Sequence, residues 1–201
     1  MKIKFFALLV ILTLAFVGLV PINAFAQAYS TSFATSITYQ NVGQSDTTSL
    51  VIQFFESPTT TVPILITRPN LAAGASASIF IGNLNDINSG FRGSAIMVSD
   101  QPLLATLVQI PQNSTTVFVR PLSNGYTGGA PTALIATVLK NTYDAHTIFS
   151  IQNTDSELNN VNIKFYNTSA QLVHDFDQEI EAGASYYVDA GTIANLGVSF
   201  N

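Results

Sequence analysis

The stretch SLVIQFFES, residues 49–57, predicts a β-strand that turns one face toward a hydrophobic core. Leu50, Ile52 and Phe54 occupy every second position in it. Because successive side chains of an extended chain point to opposite faces, a period of two places these three residues on the same side. The turn-forming residues of ESPTTT, residues 56–61, follow and end the strand.

The rest of the chain shows similar short apolar runs between turn signals, which recur about every 8–15 residues. The other predicted strands are GSAIMVSD (93–100), PLLATLVQI (102–110), TVFVRPL (116–122), TALIATVLK (132–140) and NNVNIKFYN (159–167). No window has a long stripe with the 3.6-residue period of a helix, and NLNDINSGF, residues 83–91, is expected to form a helical turn or an irregular loop. The sequence therefore predicts an all-β protein of the sandwich type.

Three segments of the first half recur in the second half in the same order. The pairs are ITYQN (37–41) with FSIQN (149–153), LVIQFF (50–55) with VNIKFY (161–166), and AAGAS (72–76) with EAGAS (181–185). Their separations of 112, 111 and 109 residues indicate duplicated domains rather than a solenoid of short units. We expect two tandem immunoglobulin-like β-sandwich repeats, at residues 27–122 and 132–201, with a linker at residues 123–131.

The second repeat is expected to be incomplete. At a separation of 109 residues, the counterparts of Leu84, Ile87 and Phe91 are Ile193, Leu196 and Phe200. Arg92 then falls on Asn201, so GSAIMVSDQPLLATLVQI, residues 93–110, has no counterpart. Either the chain is the front of a longer repeat array, or a neighbouring subunit supplies the two missing strands. In the second case QAYSTSFATSI, residues 27–37, is the expected donor strand.

The N-terminus has the parts of a secretory signal peptide. Lys2 and Lys4 come directly before an apolar run at residues 5–20, and AFA, residues 24–26, is a small-residue cleavage site. The apolar run is shorter than the roughly 20 residues that span a bilayer. We therefore expect residues 1–26 to be removed and the mature chain to be secreted and associated with the cell surface, without a membrane span.

The composition excludes one class of partner. Charged residues make up 9% of the chain, against about 25% in ordinary soluble domains. Without the two lysines of the signal peptide, the formal charge of −5 becomes −7, so the basic surface that nucleic acids require is missing. The absence of cysteine removes disulfides and thiolate sites, and favours a prokaryotic exported protein.

The turn and core motifs resemble those of secreted bacterial cell-surface and extracellular proteins built of tandem β-sandwich repeats. The resemblance rests on KNTYDAH (140–146), the QN turn, the VNIKFY strand, the AGAS turn and the GSAIMVSDQP hairpin. It covers nearly the whole mature chain, although Asp144 stands where such repeats usually have Gly. The resemblance implies a fold and an extracellular structural role, and it implies no catalytic residues and no cofactor.

VHDFDQEIE, residues 173–181, carries acidic residues at alternate positions: Asp175, Asp177, Glu179 and Glu181. On a strand they share one face, and carboxylate oxygens bind Ca²⁺. Because residues i and i+4 of a strand are about 13 Å apart, one ion cannot contact all four. They are weak Ca²⁺ candidates, and a solvated strand face is the simpler interpretation. At a separation of 109 residues the first repeat has Ile66, Arg68, Asn70 and Ala72, which excludes a duplicated site.

His146 and His174 lie in no catalytic motif, so each is interpreted as a surface or loop residue, and no enzyme activity is expected. The tyrosines expected to be exposed, where they can stack on sugar rings, are Tyr126, Tyr143, Tyr166, Tyr186 and Tyr187. The predicted function is that of a non-catalytic structural protein of the cell surface or extracellular matrix, whose partners are copies of itself or cell-surface polymers. The alternatives are an adhesin or glycan-binding module and a strand-exchanging subunit of an extracellular filament.

Overall fold

A computed structural model of the protein describes residues 32–112 and 120–201. The strands are β1 (Phe33–Asn41), β2 (Leu50–Glu56), β3 (Ile64–Thr67), β4 (Ser76–Phe80), β5 (Gly93–Ser99), β6 (Leu103–Pro111), β7 (Leu122–Asn124), β8 (Ile148–Gln152), β9 (Asn159–Tyr166), β10 (Leu172–Ile180) and β11 (Ser185–Asp189). Short 3₁₀ helices lie at Ile81–Asn83, Ala190–Thr192 and Ala194–Leu196, and the described residues contain no α-helix, which confirms the all-β prediction. The predicted signal peptide and residues 116–119 of TVFVRPL lie outside the described residues.

Strands β1 to β7 form two antiparallel sheets that pack face to face, and we call them, with their turns, the first unit. One sheet has the order β4-β1-β6-β7 and the other the order β3-β2-β5. Ile37 and Tyr39 of the first sheet and Leu50, Ile52 and Phe54 of the second share one core, and none of the five is more than 5% exposed. The face predicted from SLVIQFFES is therefore the core face of β2.

Most of the predicted strands are confirmed, and one is wrong. GSAIMVSD, PLLATLVQI and NNVNIKFYN form β5, β6 and β9. TALIATVLK, residues 132–140, is not a strand, since only Lys140 makes a single bridge, to Phe200. Leu134 in this segment is 92% exposed. The segment has apolar, β-branched residues, but β-propensity alone does not form a strand. β7 also takes in Ser123 and Asn124, at the start of the predicted linker.

Strands β8 to β11, with the loop before β8 and the turns after β11, form what we call the second unit. Its sheets have the orders β11-β8 and β10-β9. Ile163 and Phe165 of β9 pack with Val188 of β11, and Leu196 and Phe200 from the last turns complete the cluster. The inward positions predicted for NNVNIKFYN are therefore core positions.

Packing of aromatic rings recurs from the first unit to the second. Phe91 packs edge-to-face on Phe54, with 6.1 Å between ring centroids and 85° between ring planes. Phe200 packs on Phe165 in the same way, at 6.2 Å and 81°. The match of Phe91 with Phe200 expected from the sequence thus corresponds to the same contact in both cores.

A buried asparagine organises the same turn in each unit. Asn41 and Asn153 are 0% and 4% exposed, and each side-chain amide donates to two backbone carbonyls. The acceptors are Ser45 and Leu71 for Asn41, and Glu157 and Ile180 for Asn153. The bonds to Leu71 and Ile180 are buried, and leaving a buried carbonyl without a donor costs about 1–3 kcal/mol, so the asparagine of each QN turn stabilises the fold.

The alignment of β10 with β3 differs by one residue from the alignment expected from the sequence. Ile66 lies opposite Ile52 and Phe176 lies opposite Ile163, so Phe176 rather than Asp175 corresponds to Ile66. The second unit is one residue shorter between this position and the AGAS turn. The residues of the first unit that correspond to Asp175, Asp177 and Glu179 are Leu65, Thr67 and Pro69. None of the three is acidic.

Candidate functional site

The two central strands of the first unit each have two hydrogen-bonded neighbours. β1 pairs with β4 and β6, and β2 pairs with β3 and β5. In the second unit β8 and β9 take the places of β1 and β2. Among the described residues, β8 pairs only with β11, and β9 pairs only with β10. The neighbours that are missing correspond to β5 and β6, the strands that have no counterpart in the repeat alignment.

Hydrogen bonds at the strand ends show which backbone groups face these open edges. The Asn153 N–H donates to the Ala184 carbonyl, so the odd-numbered residues of β8 face β11 and the even-numbered ones face away. The Asn167 N–H donates to the Gln171 carbonyl, so the odd-numbered residues of β9 face β10. The residues whose backbone groups face the open edges are Ile148, Ser150 and Gln152 on β8 and Asn160, Asn162, Lys164 and Tyr166 on β9.

The core of the second unit is less covered beside its open edges. Tyr39 and Leu50 of the first unit are 2% and 1% exposed, whereas their counterparts Ile151 and Val161 are only partly buried. In the first unit β5 and β6 cover these positions with apolar side chains. Both residues also pack against a cluster that contains Phe55 of the first unit. An unpaired strand edge is an arrangement that accepts an added strand.

The two units meet through an apolar cluster at one end of the second unit. Phe55, on the outer face of β2, is 7% exposed because it packs against Ile180 and Ala184, and Ile96 of β5 joins the same cluster. Gly183 has a φ of +75°, and a Cβ at this position would lie 2.6 Å from the Phe55 ring. Only glycine fits both the backbone conformation and the space. Alternation along β2 does not predict this contact, since it places Phe55 away from the core.

Three hydroxyl groups hydrogen-bond across this junction to backbone carbonyls. Ser57 Oγ donates to the Ser185 carbonyl, Ser94 Oγ to the Gly183 carbonyl at 2.7 Å, and the Tyr187 hydroxyl to the Gly93 carbonyl at 2.9 Å. Burial raises the pKa of Tyr187, and the hydrogen bond to Gly93 and the charge of Arg92 oppose this effect. The environment at the junction therefore favours the neutral form of the Tyr187 side chain.

The acidic residues of β10 form an exposed strand face. Asp175, Asp177 and Glu179 are exposed, and Glu181 lies in the turn that follows the strand. Asp177 accepts a hydrogen bond of 2.9 Å from the Asn162 amide on the neighbouring strand. Within residues 32–112 and 120–201, no three His, Asp or Glu side chains are grouped so that they could hold a metal ion. The geometry is that of a solvated face with a cross-strand hydrogen bond.

The two histidines contact other residues of the second unit, and His146 is the more buried of the two. His146 is a loop residue, as predicted, but its side chain is only 8% exposed, and its Nε2 lies 3.9 Å from Asp189 Oδ1. The same carboxylate oxygen accepts a hydrogen bond from the Gly191 N–H. His174 lies on the inward face of β10, with its ring stacked 6.3 Å from that of Phe165. His174 is half-buried there, and its Nδ1 lies 3.3 Å from the Asn195 side-chain amide in an exposed setting.

The KNTYDAH segment has structural roles that the sequence did not reveal. Lys140 is 6% exposed, its Nζ donates to the Ile193 carbonyl at 2.6 Å, and its backbone bridges to Phe200. It thereby joins the loop before β8 to the last turns. Asp144 has a φ of +55°, in the left-handed region where glycine is unstrained. A glycine at this position would adopt the conformation without strain.

The turn between β5 and β6 is attached to the start of β2 through Asp100. Its carboxylate accepts hydrogen bonds from the Thr48 hydroxyl and from the backbone N–H groups of Thr48 and Ser49. The bond from the Thr48 hydroxyl is the main reason that the pKa of Asp100 is lowered. The SDQP turn thus connects β5 with β6 and also holds the segment that leads into β2.

A cleft of about 330 Å³ lies at one end of the first unit, between the beginning of β1 and the loop before β5. Phe33, Phe54 and Phe91 line it, together with polar groups such as the Gln109 amide. Its described lining has no Asp, Glu, His, Lys or Arg. The cleft therefore offers apolar contact and hydrogen bonds rather than acid–base chemistry.

Of the five tyrosines expected to be exposed, three are. Tyr126, Tyr143 and Tyr166 are 89%, 87% and 52% exposed. Tyr186 packs in the core of the second unit, and Tyr187 lies in the junction between the units. The expectation is wrong for these last two, because β11 is covered on both faces.

The expected donor strand, residues 27–37, is partly used inside the first unit. Phe33 to Ile37 belong to β1, which lies between β4 and β6. Residues 27–31 lie outside the described residues. The prediction of donation is therefore wrong for Phe33 to Ile37, because these residues already have hydrogen-bonded neighbours in their own unit.

No protein-family model, curated protein or solved structure matches the chain. Of the helices in the described residues, none is long and apolar enough to cross a membrane. Function is therefore inferred from the geometry of the two units.

Proposed function

We propose that the chain is a secreted, non-catalytic structural protein of the cell surface or extracellular matrix, with two tandem immunoglobulin-like β-sandwich units. In this proposal the protein acts by assembling with other polypeptides through its second unit. The observation that carries the proposal is the pair of strands β8 and β9, each without a second neighbour among the described residues. Of the alternatives, a strand-exchanging role would make use of these two edges.

The placement of the polar side chains supports a structural role. Asn41 and Asn153 hold turns, Lys140 binds the Ile193 carbonyl, and Tyr187 binds across the junction. Each of these buried groups is used to fix the backbone. A scaffold of this kind presents strand edges in a defined geometry, which is what assembly by strand addition requires.

The signal-peptide features support secretion, and fractionation of the source cells tests it. We expect the protein in the medium and cell-envelope fractions, with an N-terminus at Gln27 by Edman sequencing or mass spectrometry. A cytosolic protein that retains Met1 would contradict the proposal.

Complementation tests the structural role. Deletion of the gene should weaken the surface layer or matrix, measured as protein released by mild shear, and the wild-type chain should restore it. A His146→Gln variant should restore it equally, because no catalysis is involved. A Ser150→Pro/Lys164→Pro variant should not, because proline removes an N–H from each open edge. Restoration by the edge variant, with failure of a folded His146→Gln variant, would contradict the proposal and favour an enzyme.

A further inference from the structure

We propose that residues 126–138, which we call the connector, are the cleavage site of an extracellular endoprotease that accepts a large apolar side chain before the scissile bond. The bond that breaks is the peptide bond between Leu134 and Ile135. Water supplies a hydroxyl group to the carbonyl carbon of Leu134 and a proton to the nitrogen of Ile135, so no other reactant is consumed. The two units then remain associated as a two-chain protein. Of the proposed function, this inference uses only the extracellular location.

The connector is exposed and its backbone is unbonded, and folded proteins are cleaved where both conditions hold. Every residue from 120 to 137 is exposed. The N–H of Gly125, before the connector, and the N–H of Leu139, after it, donate hydrogen bonds. Between them, no backbone group of the connector is hydrogen-bonded to any residue that the structure describes. An endoprotease can therefore bond to the connector as an extended strand without first breaking contacts within the chain.

Leu134 is the connector side chain best placed to enter the pocket of such an enzyme. It is 92% exposed, and its transfer into an apolar pocket is favourable because apolar surface leaves water. Tyr126 is 89% exposed, but a Cβ at nearby Gly129 would lie 2.2 Å from Thr154 Oγ1. That end of the connector passes close to the second unit. The enzyme therefore has more room around Leu134.

Tyr143 shows that exposure of a large side chain is not sufficient for cleavage. It is 87% exposed, almost as much as Tyr126. However, it lies in a turn in which the N–H groups of Thr142 and Ala145 donate to each other's carbonyls at 3.2 and 3.1 Å. Its φ of +54° is far from that of an extended chain. A protease must break this turn before it can bind Tyr143, so the bond after Tyr143 should resist cleavage.

The contacts that join the two units lie outside the connector. Phe55 packs against Ile180 and Ala184, and the Tyr187 hydroxyl donates to the Gly93 carbonyl. Separation of the units would expose these apolar side chains to water, which is unfavourable. The connector also begins after the end of β7 and ends before the start of β8, so cleavage removes no strand from either unit. The cleaved protein therefore keeps both units folded and in contact.

The first test uses the protein isolated from the medium and cell envelope of its source cells. We expect N-terminal sequencing to find two chains, beginning at Gln27 and at Ile135, in a single peak of native size-exclusion chromatography. A Leu134→Asp chain should be cleaved at least about 10-fold less, because transfer of a carboxylate into an apolar pocket is unfavourable. Tyr143→Asp, the matched control at another exposed position, should be cleaved like the wild type.

Each outcome of this test decides something. A secreted protein that begins at Gln27 and is uncut would overturn the inference and leave the proposed function standing. A cytosolic chain that retains Met1 and is uncut would overturn both. Equal cleavage of the Leu134→Asp chain and the wild type would overturn the assignment of the enzyme's pocket to Leu134.

Limited proteolysis of the uncut mature chain, made in a cell-free system, tests the geometry with chymotrypsin as the probe. The first cuts should follow Leu134 or Tyr126, at least about 100-fold faster than the cut after Tyr143, because only the latter requires local unfolding. The fragments should elute together in buffer and separate in denaturant. A first cut after Tyr143 or within a strand, or fragments that separate in buffer, would overturn the inference.

Discussion

Phe54 in the first unit and Phe165 in the second are both 3% exposed, and each packs under the edge of another phenylalanine ring. The strands that carry them differ: β2 has a neighbour on each side, and β9 has one among the described residues. The inward residues of the central strands thus form the same core with and without the outer strands. The outer strands decide how far the remaining core residues are covered and whether an edge is open.

Of the variants that test this comparison, Phe54→Ala and Phe165→Ala should lower the free energy of unfolding most. Phe54→Ala should lower the free energy of unfolding by about 3–5 kcal/mol, since it leaves a cavity in a closed core. Phe165→Ala should cost about 3 kcal/mol, the lower end of that range, because the open side lets the site relax. Chemical denaturation of each variant, with amide exchange as the probe of each unit, measures both. A larger loss of stability for Phe165→Ala than for Phe54→Ala would contradict the conclusion that the core of the second unit is open on one side.

Proline substitution tests the open edge directly. Gln53→Pro should destabilise the first unit by about 3 kcal/mol, because it removes a bond to β5 and leaves a buried carbonyl without its donor. Lys164→Pro at the corresponding position should cost less than about 1 kcal/mol, since its N–H faces an open edge where proline is tolerated. Denaturant midpoints of the two variants are the measurement. Equal losses would show that β9 has a second neighbour.

Gly74 and Gly183 occupy the same position in the two AGAS turns, so their variants distinguish the effect of the junction on stability from the effect of the turn. Gly74 and Gly183 have φ of +76° and +75°, but only Gly183 lies against Phe55. Gly74→Ala should cost about 1 kcal/mol through backbone strain, and Gly183→Ala about 2–3 kcal/mol because it also displaces Phe55. Thermal unfolding of both variants checks this difference. Equal costs would show that the units do not pack as described.

Tyr187→Phe tests the hydrogen bond across the junction, and we expect it to cause the smallest loss of stability. Loss of the hydrogen bond to Gly93 should cost about 1 kcal/mol at neutral pH. The folded-state pKa of Tyr187 is raised above its usual value of 10.0, so its stabilising contribution is complete below that pH and is lost as the pH rises through the raised pKa. The difference in stability between wild type and variant should therefore shrink above pH 10.0. A constant difference from pH 7 to pH 11 would contradict burial of the phenol.

The strands could be predicted wherever their alternation is reinforced by a repeat. SLVIQFFES and NNVNIKFYN show the same inward pattern, and both are core strands. TALIATVLK has similar composition but no neighbour, and only three-dimensional structure shows whether a strand has a partner to bond with. The acidic alternation of VHDFDQEIE correctly indicates an exposed face, and the same alternation places His174 and Phe176 on the opposite face.

The site was partly predictable for the same reason. Comparison of the two halves shows that residues 93–110 have no counterpart, which leads to β8 and β9 as strands with one neighbour. The junction was not predictable, because Phe55 and Gly183 are more than 100 positions apart and no pattern in the sequence links them. The burial of Lys140 was missed as well, since its acceptor is a backbone carbonyl that any residue can supply.

Hydrogen exchange of the backbone amides, measured by NMR on the isolated mature chain, tests the central claim most directly. The amides of Asn162 and Lys164 on β9 should exchange at least about 100-fold faster than those of Val51 and Gln53 on β2, since only the latter are bonded to a second neighbour. The amides of Ile163 and Phe165, which face β10, should be protected. Equal protection of the β2 and β9 edges would contradict the account, because it would mean that the second unit is closed.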